Sequence, residues 1–551
     1  MNTRFFYNNI YLLFVLIFGA ILTFGACSSK TDRSSQSVSP EVRIMKVCFN
    51  QELQVMDGFG ASDAWRCQMV GKYWPEEKKE EIADMLFSQE FDEKGNPKGI
   101  GLSIWRFYIG AGSLEQGAGS DISDEWRRAE CFQLPDRTYD WQKQEGQRWF
   151  LQAARARGVD KYLAFTISPP VHMTLNGKAF SSQKQKMNIK EGMMPDYADF
   201  LVDCVENLQK NEGISFDYLS PVNEPQWDWL AGNNGKASQE GTPAVNEELY
   251  QLTRLISERL QKRGLSTKIA LGEAASINYL YEIVDDDSRD NQIDVFWDRG
   301  SSLCVAPLQN MEHVITGHSY FSVWPVAGQV EHRQKLNTKV KQYPGLKYWQ
   351  TEYCILENPG EDEIPGGAGG QRDLGIKTAL FVARIIHNDI VLSDASSWQW
   401  WTALTRADYK DGLIYLDDGS NNGSMDPDYC KKDGYVRSSK LMWAFGNYSF
   451  FVRPGMKRIH VEDQDPLVAS TDVMISAYKD PDSGKLVIVA VNTSNKEYIY
   501  KLNIDEQVKG GKLIPYVTSD QYNLEKGVAM KTDSIIIFPQ SVVTLTGEVR
   551  K

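Results

Sequence analysis

Histidine is scarce in this chain. Only six occur among 551 residues: His172, His313, His318, His332, His387 and His460. None belongs to an HxxxH or HxH array, so no set of imidazoles is spaced for a catalytic zinc. The eight cysteines (Cys27, Cys48, Cys67, Cys131, Cys204, Cys304, Cys354 and Cys430) include no CxxC and no Cys/His pair at zinc spacing. They read as mostly buried thiols with at most a disulfide or two. Positive charge is also short: the net charge is −13, which argues against nucleic acid or an anionic membrane surface as partner. No glycine fingerprint for a dinucleotide is present, and the loop containing Gly366, Gly367, Gly369 and Gly370 lacks the Lys-Ser/Thr of a phosphate cradle. Nothing in these patterns calls for a metal or a cofactor.

Long apolar runs are missing too, except at the start. Arg4 precedes an apolar run from Ile10 to Phe24 that ends in Gly25-Ala26-Cys27-Ser28-Ser29. Residues 1–27 read as a secretory signal. The Cys27 context resembles a bacterial lipobox, with Phe24 where Leu is usual. The expectation is an exported lipoprotein of the bacterial cell envelope, at the outer membrane surface or the periplasmic face, touching membrane only through lipid on Cys27. Residues 28–40 are Ser-rich and polar, a flexible tether.

What remains is ordinary in polarity, 42% hydrophobic and 24% charged, but rich in aromatics, with 15 Trp and 25 Tyr. Aromatic faces suit a large core, and they also suit sugar rings. Residues 41–55 begin as a strand. Short apolar strands then end near Asp63, Gly110, Ser168, Glu224, Glu273, Tyr320, Glu352 and Trp401. Helical patterns over 75–86, 144–157, 196–209, 246–263, 330–340 and 373–389 separate many of them. This alternation predicts an α/β chain whose residues 56–445 form a (β/α)₈ barrel. Residues 446–551 change texture. Apolar, β-branched runs at 467–469, 474–477, 485–491, 498–504, 513–516 and 534–545 predict an all-β sandwich, which the strand at 41–55 is expected to join.

Two strands stop abruptly at an acid. Tyr218-Leu219-Ser220-Pro221-Val222-Asn223-Glu224-Pro225 ends the fourth barrel strand, and Leu346-Lys347-Tyr348-Trp349-Gln350-Thr351-Glu352 the seventh. Their ends lie across the barrel mouth, where barrel enzymes place their chemistry. Cleaving an acetal needs a proton donor for the leaving oxygen and a nucleophile opposite, and two carboxyl groups supply both. Trp227 and Trp229 would raise the donor's pKa by excluding water. Asp63 and Glu273 read equally well as pocket or structural acids.

The ordered set of motifs resembles glycoside hydrolase family 30. It runs through Gly58-Phe59-Gly60-Ala61, Trp105-Arg106-Phe107-Tyr108-Ile109-Gly110, Ser168-Pro169-Pro170, Asn223-Glu224-Pro225, His318-Ser319-Tyr320, Thr351-Glu352 and Trp398-Gln399-Trp400-Trp401. Phe445-Gly446-Asn447-Tyr448 and the residues to Gly455 resemble that family's passage from barrel to side domain. The resemblance implies a retaining β-glycoside hydrolase with Glu224 as acid/base and Glu352 as nucleophile. It further implies that Asn223 binds the hydroxyl beside the reacting carbon, that Arg106 and Tyr320 hold the nucleophile ionised, that His318 orients its neighbours, and that Trp400 floors the pocket. Trp227 and Asp63 join the expected substrate contacts. Within the family, Gly58 to Trp65 looks closest to the β-1,6-galactanase branch. Thr402-Ala403-Leu404-Thr405-Arg406 lacks an arginine-rich grip for uronate. The expected substrate is β-1,6-galactan, cut internally by a monomer. β-1,6-Glucan, xylan or terminal β-glycosides are the alternatives. A non-catalytic glycan-binding lipoprotein is the reading from another class, and the intact acid pair argues against it.

Overall fold

In the computed structural model, which describes residues 42–550, the first strand stands apart from those that follow it. That strand is β1 (Val42–Val55). The next eight are β2 (Gly58–Ser62), β3 (Ile104–Ile109), β4 (Lys161–Thr166), β5 (Tyr218–Ser220), β6 (Lys268–Ala274), β7 (Met311–His318), β8 (Lys347–Glu352) and β9 (Ser397–Thr405). Each pairs in parallel with the next, and β9 also pairs with β2, which closes the barrel. Their side chains are buried almost throughout, as strands covered on both faces require. All eight were expected from the sequence.

The helices stop where local chemistry says they should. Met194–Glu212 carries Pro195 in its first turn and ends at Gly213, whose φ of +66° favours glycine. Asn246–Arg263 ends the same way at Gly264, with φ of +67°. Helix Ile376–Leu392 is buried nearly all round, because the barrel covers one side and the C-terminal module the other. Asp389 on this helix accepts hydrogen bonds from Ser319 Oγ (2.9 Å), Arg333 Nε (2.8 Å) and Trp398 Nε1 (2.9 Å). Arg333 and Asp389 are both fully buried. Asp389→Ala strands a buried guanidinium and is expected to cost about 3–5 kcal/mol, read by denaturant unfolding against the wild type.

Two strands extend the barrel sheet past its closure. β10 (Gly412–Asp417) runs parallel to β9, and β11 (Tyr435–Ser438) runs antiparallel to β10. Helix Lys440–Ser449 follows, opened by Ser439, whose hydroxyl accepts from the Met442 N–H. The boundary drawn at 445/446 falls inside this helix. It belongs to both parts: Asn447 Nδ2 donates to Tyr516 O (3.0 Å) and Thr544 Oγ1 (2.9 Å) in the module.

The module contains β12 (Lys457–Val461), β13 (Val473–Lys479), β14 (Lys485–Asn492), β15 (Tyr498–Ile504), β16 (Lys512–Thr518), β17 (Glu525–Lys526), β18 (Met530–Lys531), β19 (Ile535–Ile537) and β20 (Ser541–Glu548). β1 lies between β12, antiparallel, and β15, parallel. Val47, Ile459, Ile475, Ile488, Leu502 and Val543 share the module's own core. Residues 467–469 are not a strand. Pro466–Ala469 is one helical turn, because Asp465 accepts from the N–H groups of Leu467 and Val468 and Pro466 presets the first φ. The run 534–545 is two strands, β19 and β20, rather than one. The cysteines from Cys48 to Cys430 are all unbridged. Residues 1–41, with Cys27, lie outside the described residues.

Candidate active site

The barrel strands deliver acids and bases to one end. Glu224 follows β5 in the left-handed backbone region (φ +45°), as does Glu273 in β6 (φ +47°). Such conformations cost a non-glycine residue energy and persist where the surroundings hold them. Here the Glu224 N–H donates to Glu273 O (2.9 Å), and the Glu273 N–H donates to Thr316 Oγ1 (2.8 Å). On the far side of Glu224, its carbonyl accepts from Trp229 Nε1 (3.1 Å) and the Trp227 N–H (3.1 Å). Glu352 arrives after an irregularity in the ladder, where Gly317 faces Gln350 but His318 faces Glu352. The extra residue turns its neighbour's side chain, as bulges near barrel rims do.

His318 is the centre of the arrangement. Its Nδ1 lies 3.0 Å from Glu224 Oε1 and 3.8 Å from Glu352 Oε1, and its Nε2 lies 2.9 Å from Glu273 Oε2. Burial pulls the imidazolium's pKa down, but Glu352 and the bonds to Glu224 and Glu273 outweigh it and hold the pKa up at about 10. His318 is therefore a cation that donates from both ring nitrogens. Arg106 Nη2 reaches Glu273 Oε2 (3.2 Å) and its Nη1 reaches Glu352 Oε2 (3.4 Å), all buried. Burial opposes the Glu273 charge, yet His318 and Arg106 win and its pKa is lowered. Tyr320 donates to Glu352 Oε1 (3.1 Å); burial, with Cys354 and Glu352 beside it, keeps the phenol protonated.

A carboxylate oxygen of Glu224, one of Glu352 and a His318 nitrogen lie within 4.8 Å of one another. A metal would need a lone pair from His318, and both its nitrogens are committed as donors. Burial pushes Glu352 up to about 7; His318 and Arg106 pull it down, and Glu224 and Glu273 push it further up.

The sign of this shift makes a stability prediction. A carboxyl raised above its usual value favours the fold while protonated. That contribution is complete below about pH 4.5 and is lost as pH rises through about 7. Glu352→Gln is expected to melt higher than the wild type at pH 8.5, with the gap closing at pH 4. The His318 contribution has the same sign over a higher range: it is present below about pH 6.5 and lost as pH rises through about 10. Thermal melts across this range test both.

The cavity above the pair, about 410 Å³, is lined by Glu224, Glu352, Trp227, Trp229, Tyr320 and Trp401, with Arg127, Phe321, Tyr409 and Asp411 among its walls. Trp227 is 36% exposed and meets Phe321 edge-on at 6.0 Å, a wet aromatic face at the mouth. Asn223 is buried, and its Oδ1 has no hydrogen-bond partner among the described residues. Two expected contacts lie elsewhere. Trp400 is fully buried, stacks on Trp398 at 6.2 Å and donates from Nε1 to Asp411 O (2.9 Å). Trp401 takes the place at the cavity wall, because it is the extra residue where β9 slips against β2. Asp63 is sealed beneath the barrel end, accepting from the Tyr108 N–H (2.9 Å) and Gln147 Nε2 (3.1 Å); burial pushes it up to about 8 despite those bonds.

The model of O-glycosyl hydrolase family 30 matches residues 41–415. The chain belongs to glycoside hydrolase family 30. It is an O-glycosyl hydrolase, and its barrel and β-module are those of family 30 structures. An endo-β-1,6-galactanase of Hypocrea rufa is 22% identical over 457 residues, 80% of each chain. The glucuronoxylanase XynC of Bacillus subtilis (strain 168) is 25% identical over 400 residues, 69% of this chain and 72% of the other. Among solved structures, a conserved exported protein of Bacteroides fragilis is 36% identical with a TM-score of 0.84, covering 92% of this chain and all of that one. The family 30 assignment rests on the whole run of barrel motifs. Arg127, Tyr409 and Asp411 carry no signal in the sequence, because loops bring them to the cavity from outside the strand ends.

Proposed function

We propose that this chain is a retaining β-glycoside hydrolase that cuts β-1,6-linked galactan internally. The observation that carries the mechanism is the facing pair Glu224 and Glu352, whose nearest atoms, with His318, fall within 4.8 Å. Retaining enzymes space the carboxyls about 5–5.5 Å apart so that one attacks directly, whereas inverting ones leave room for a water. Glu224 gives its proton to the glycosidic oxygen. Glu352, held by Arg106 and Tyr320, attacks the anomeric carbon and forms a glycosyl ester. Glu224, now ionised, takes a proton from water as that water breaks the ester. His318 keeps a positive charge between the acids through the cycle.

The similarity to the Hypocrea rufa endo-β-1,6-galactanase across 80% of both chains supports galactan as substrate. The exposed Trp227 beside an open cavity supports internal cutting, since sugars on either side of the cut find a stacking face. Product analysis on β-1,6-galactan, β-1,6-glucan, glucuronoxylan and aryl β-glycosides tests the reading, with Glu352→Gln as control. A ladder of galactan oligosaccharides is the expected result. Monosaccharide alone, or a ladder from another polymer, replaces the substrate or the cutting mode. We also propose that lipid on Cys27 ties the enzyme to the cell envelope as a monomer. Detergent-phase partitioning should be lost in Cys27→Ala.

A further inference from the structure

We propose that Arg127 grips an anionic substituent, a carboxylate or a sulfate, on the glycan held in the cleft. This rests on the glycosidase reading and narrows its substrate class.

The argument begins with an accounting of charge. Arg66, Arg127 and Arg406 lie close enough to repel one another beside the cavity wall that carries Asp411. Arg406 is used up: its Nη2 meets Asp124 Oδ1 at 2.9 Å and it donates to the carbonyls of Ser424 and Asp426. Arg66, wholly buried, faces Asp411 at 3.8 Å, a loose pair in which none of its guanidinium nitrogens makes a hydrogen bond among the described residues. Burial weakens Arg66's hold on its proton; Asp411 and Asp124 oppose that, while Arg127 and Arg406 add to it. The cluster is therefore short of negative charge.

Arg127 is the member left over, and it lines the same cavity as Glu224 and Glu352. It closes the short turn Glu125–Arg127 in the loop after β3. Its Nε is buried without a partner, no carboxylate pairs with its guanidinium among the described residues, and the Trp65 ring lies 5.3 Å from it. A guanidinium next to other guanidiniums in a half-dry site favours a counter-anion, and the planar fork fits a two-oxygen anion on both bonds. The stretch after the last barrel strand cannot serve, because its Arg406 is committed to Asp124. Neutral sugar hydroxyls would leave the extra charge uncompensated.

The test is binding to the Glu352→Gln protein, which does not consume its ligands. Methyl β-D-glucuronide, methyl β-D-galactoside 6-sulfate and methyl β-D-galactoside serve as probes in NMR titrations. At least one anionic probe should bind about tenfold more tightly than the neutral one, equivalent to about 1.4 kcal/mol. The carboxylated and sulfated arms tell which anion is preferred. Adding Arg127→Gln should bring the ratio near one, while Arg127→Lys, which keeps the charge, should preserve part of it. Equal or better binding of the neutral probe, no binding of any probe, or an advantage that survives Arg127→Gln overturns the proposal. Failure of the glycosidase reading looks different: the wild type then cuts no glycan at all.

Discussion

Glu352→Gln is expected to lower kcat/KM by about 10⁴-fold or more on every glycan the enzyme cuts, a loss of the size seen when a covalent nucleophile is removed. The amide is nearly isosteric: its oxygen still accepts from Arg106 and its N–H₂ donates to the Tyr320 hydroxyl, so folding is spared. At high pH it should even be gained, because the ionised carboxyl is what burial penalises. One substitution thus raises stability and abolishes turnover, as expected where a site stores unfavourable charge. Small anions sharpen the test. Glu352→Ala with azide should yield the α-glycosyl azide from an activated β-glycoside, because azide then attacks once from the vacated face. A β-azide, or turnover unaffected by the substitution, would remove Glu352 from the role.

The second large effect is expected at Glu224. Removing a general acid costs about 10²- to 10⁴-fold, so Glu224→Gln should fall in that range on polysaccharide. The loss should shrink with the leaving group. An aryl glycoside whose phenolate departs unaided needs no proton in the first step, so the glycosyl ester forms and then waits for a base. A pre-steady-state burst followed by a slow steady rate is the expected trace, and azide should release the ester as the β-azide. Equal losses on polysaccharide and activated aryl glycoside would place Glu224 outside proton transfer.

Much of this is legible in the sequence. Most of the eight barrel strands announce themselves as short apolar runs ended by an acid, a glycine or a proline, and a strand buried on both faces has little other sequence to wear. The acid pair followed from its position at two of those ends. What escaped did so for definable reasons. Trp400 and Trp401 differ in the structure by a one-residue slip of β9 against β2. The resemblance puts Trp400 on the pocket floor while Trp401 lines the cavity, and alternation cannot reveal the bulge that sets them apart. Glu273 was ambiguous because its role depends on His318 and Arg106, which come from other strands. Helix 440–449 is hard to read from sequence because it is buried by two neighbours and carries little of the one-sided pattern that betrays a surface helix. Residues 467–469 are apolar enough for a strand, and only Asp465 and Pro466 ahead of them say otherwise. Arg127 could not have been found at all from spacing, since a loop residue's destination is set by the loop's path.

The placement of β1 carries a consequence for how the molecule comes into being. This strand lies between β12 and β15, and the N–H of Phe49 donates to a carboxylate of Asp505, 456 residues further along the chain. Contacts of such separation form late and slowly. A ribosome, or a translocon threading the chain across a membrane, delivers the first strand long before its partners exist. β1 must then wait, unpaired and with a bare edge, until nearly the last residues emerge, an interval in which strand edges invite aggregation. The enzyme cannot be finished from its N-terminus forward. A gene cut after the barrel would yield a chain whose first strand has no neighbours, and expression should fail there sooner than the chemistry would suggest.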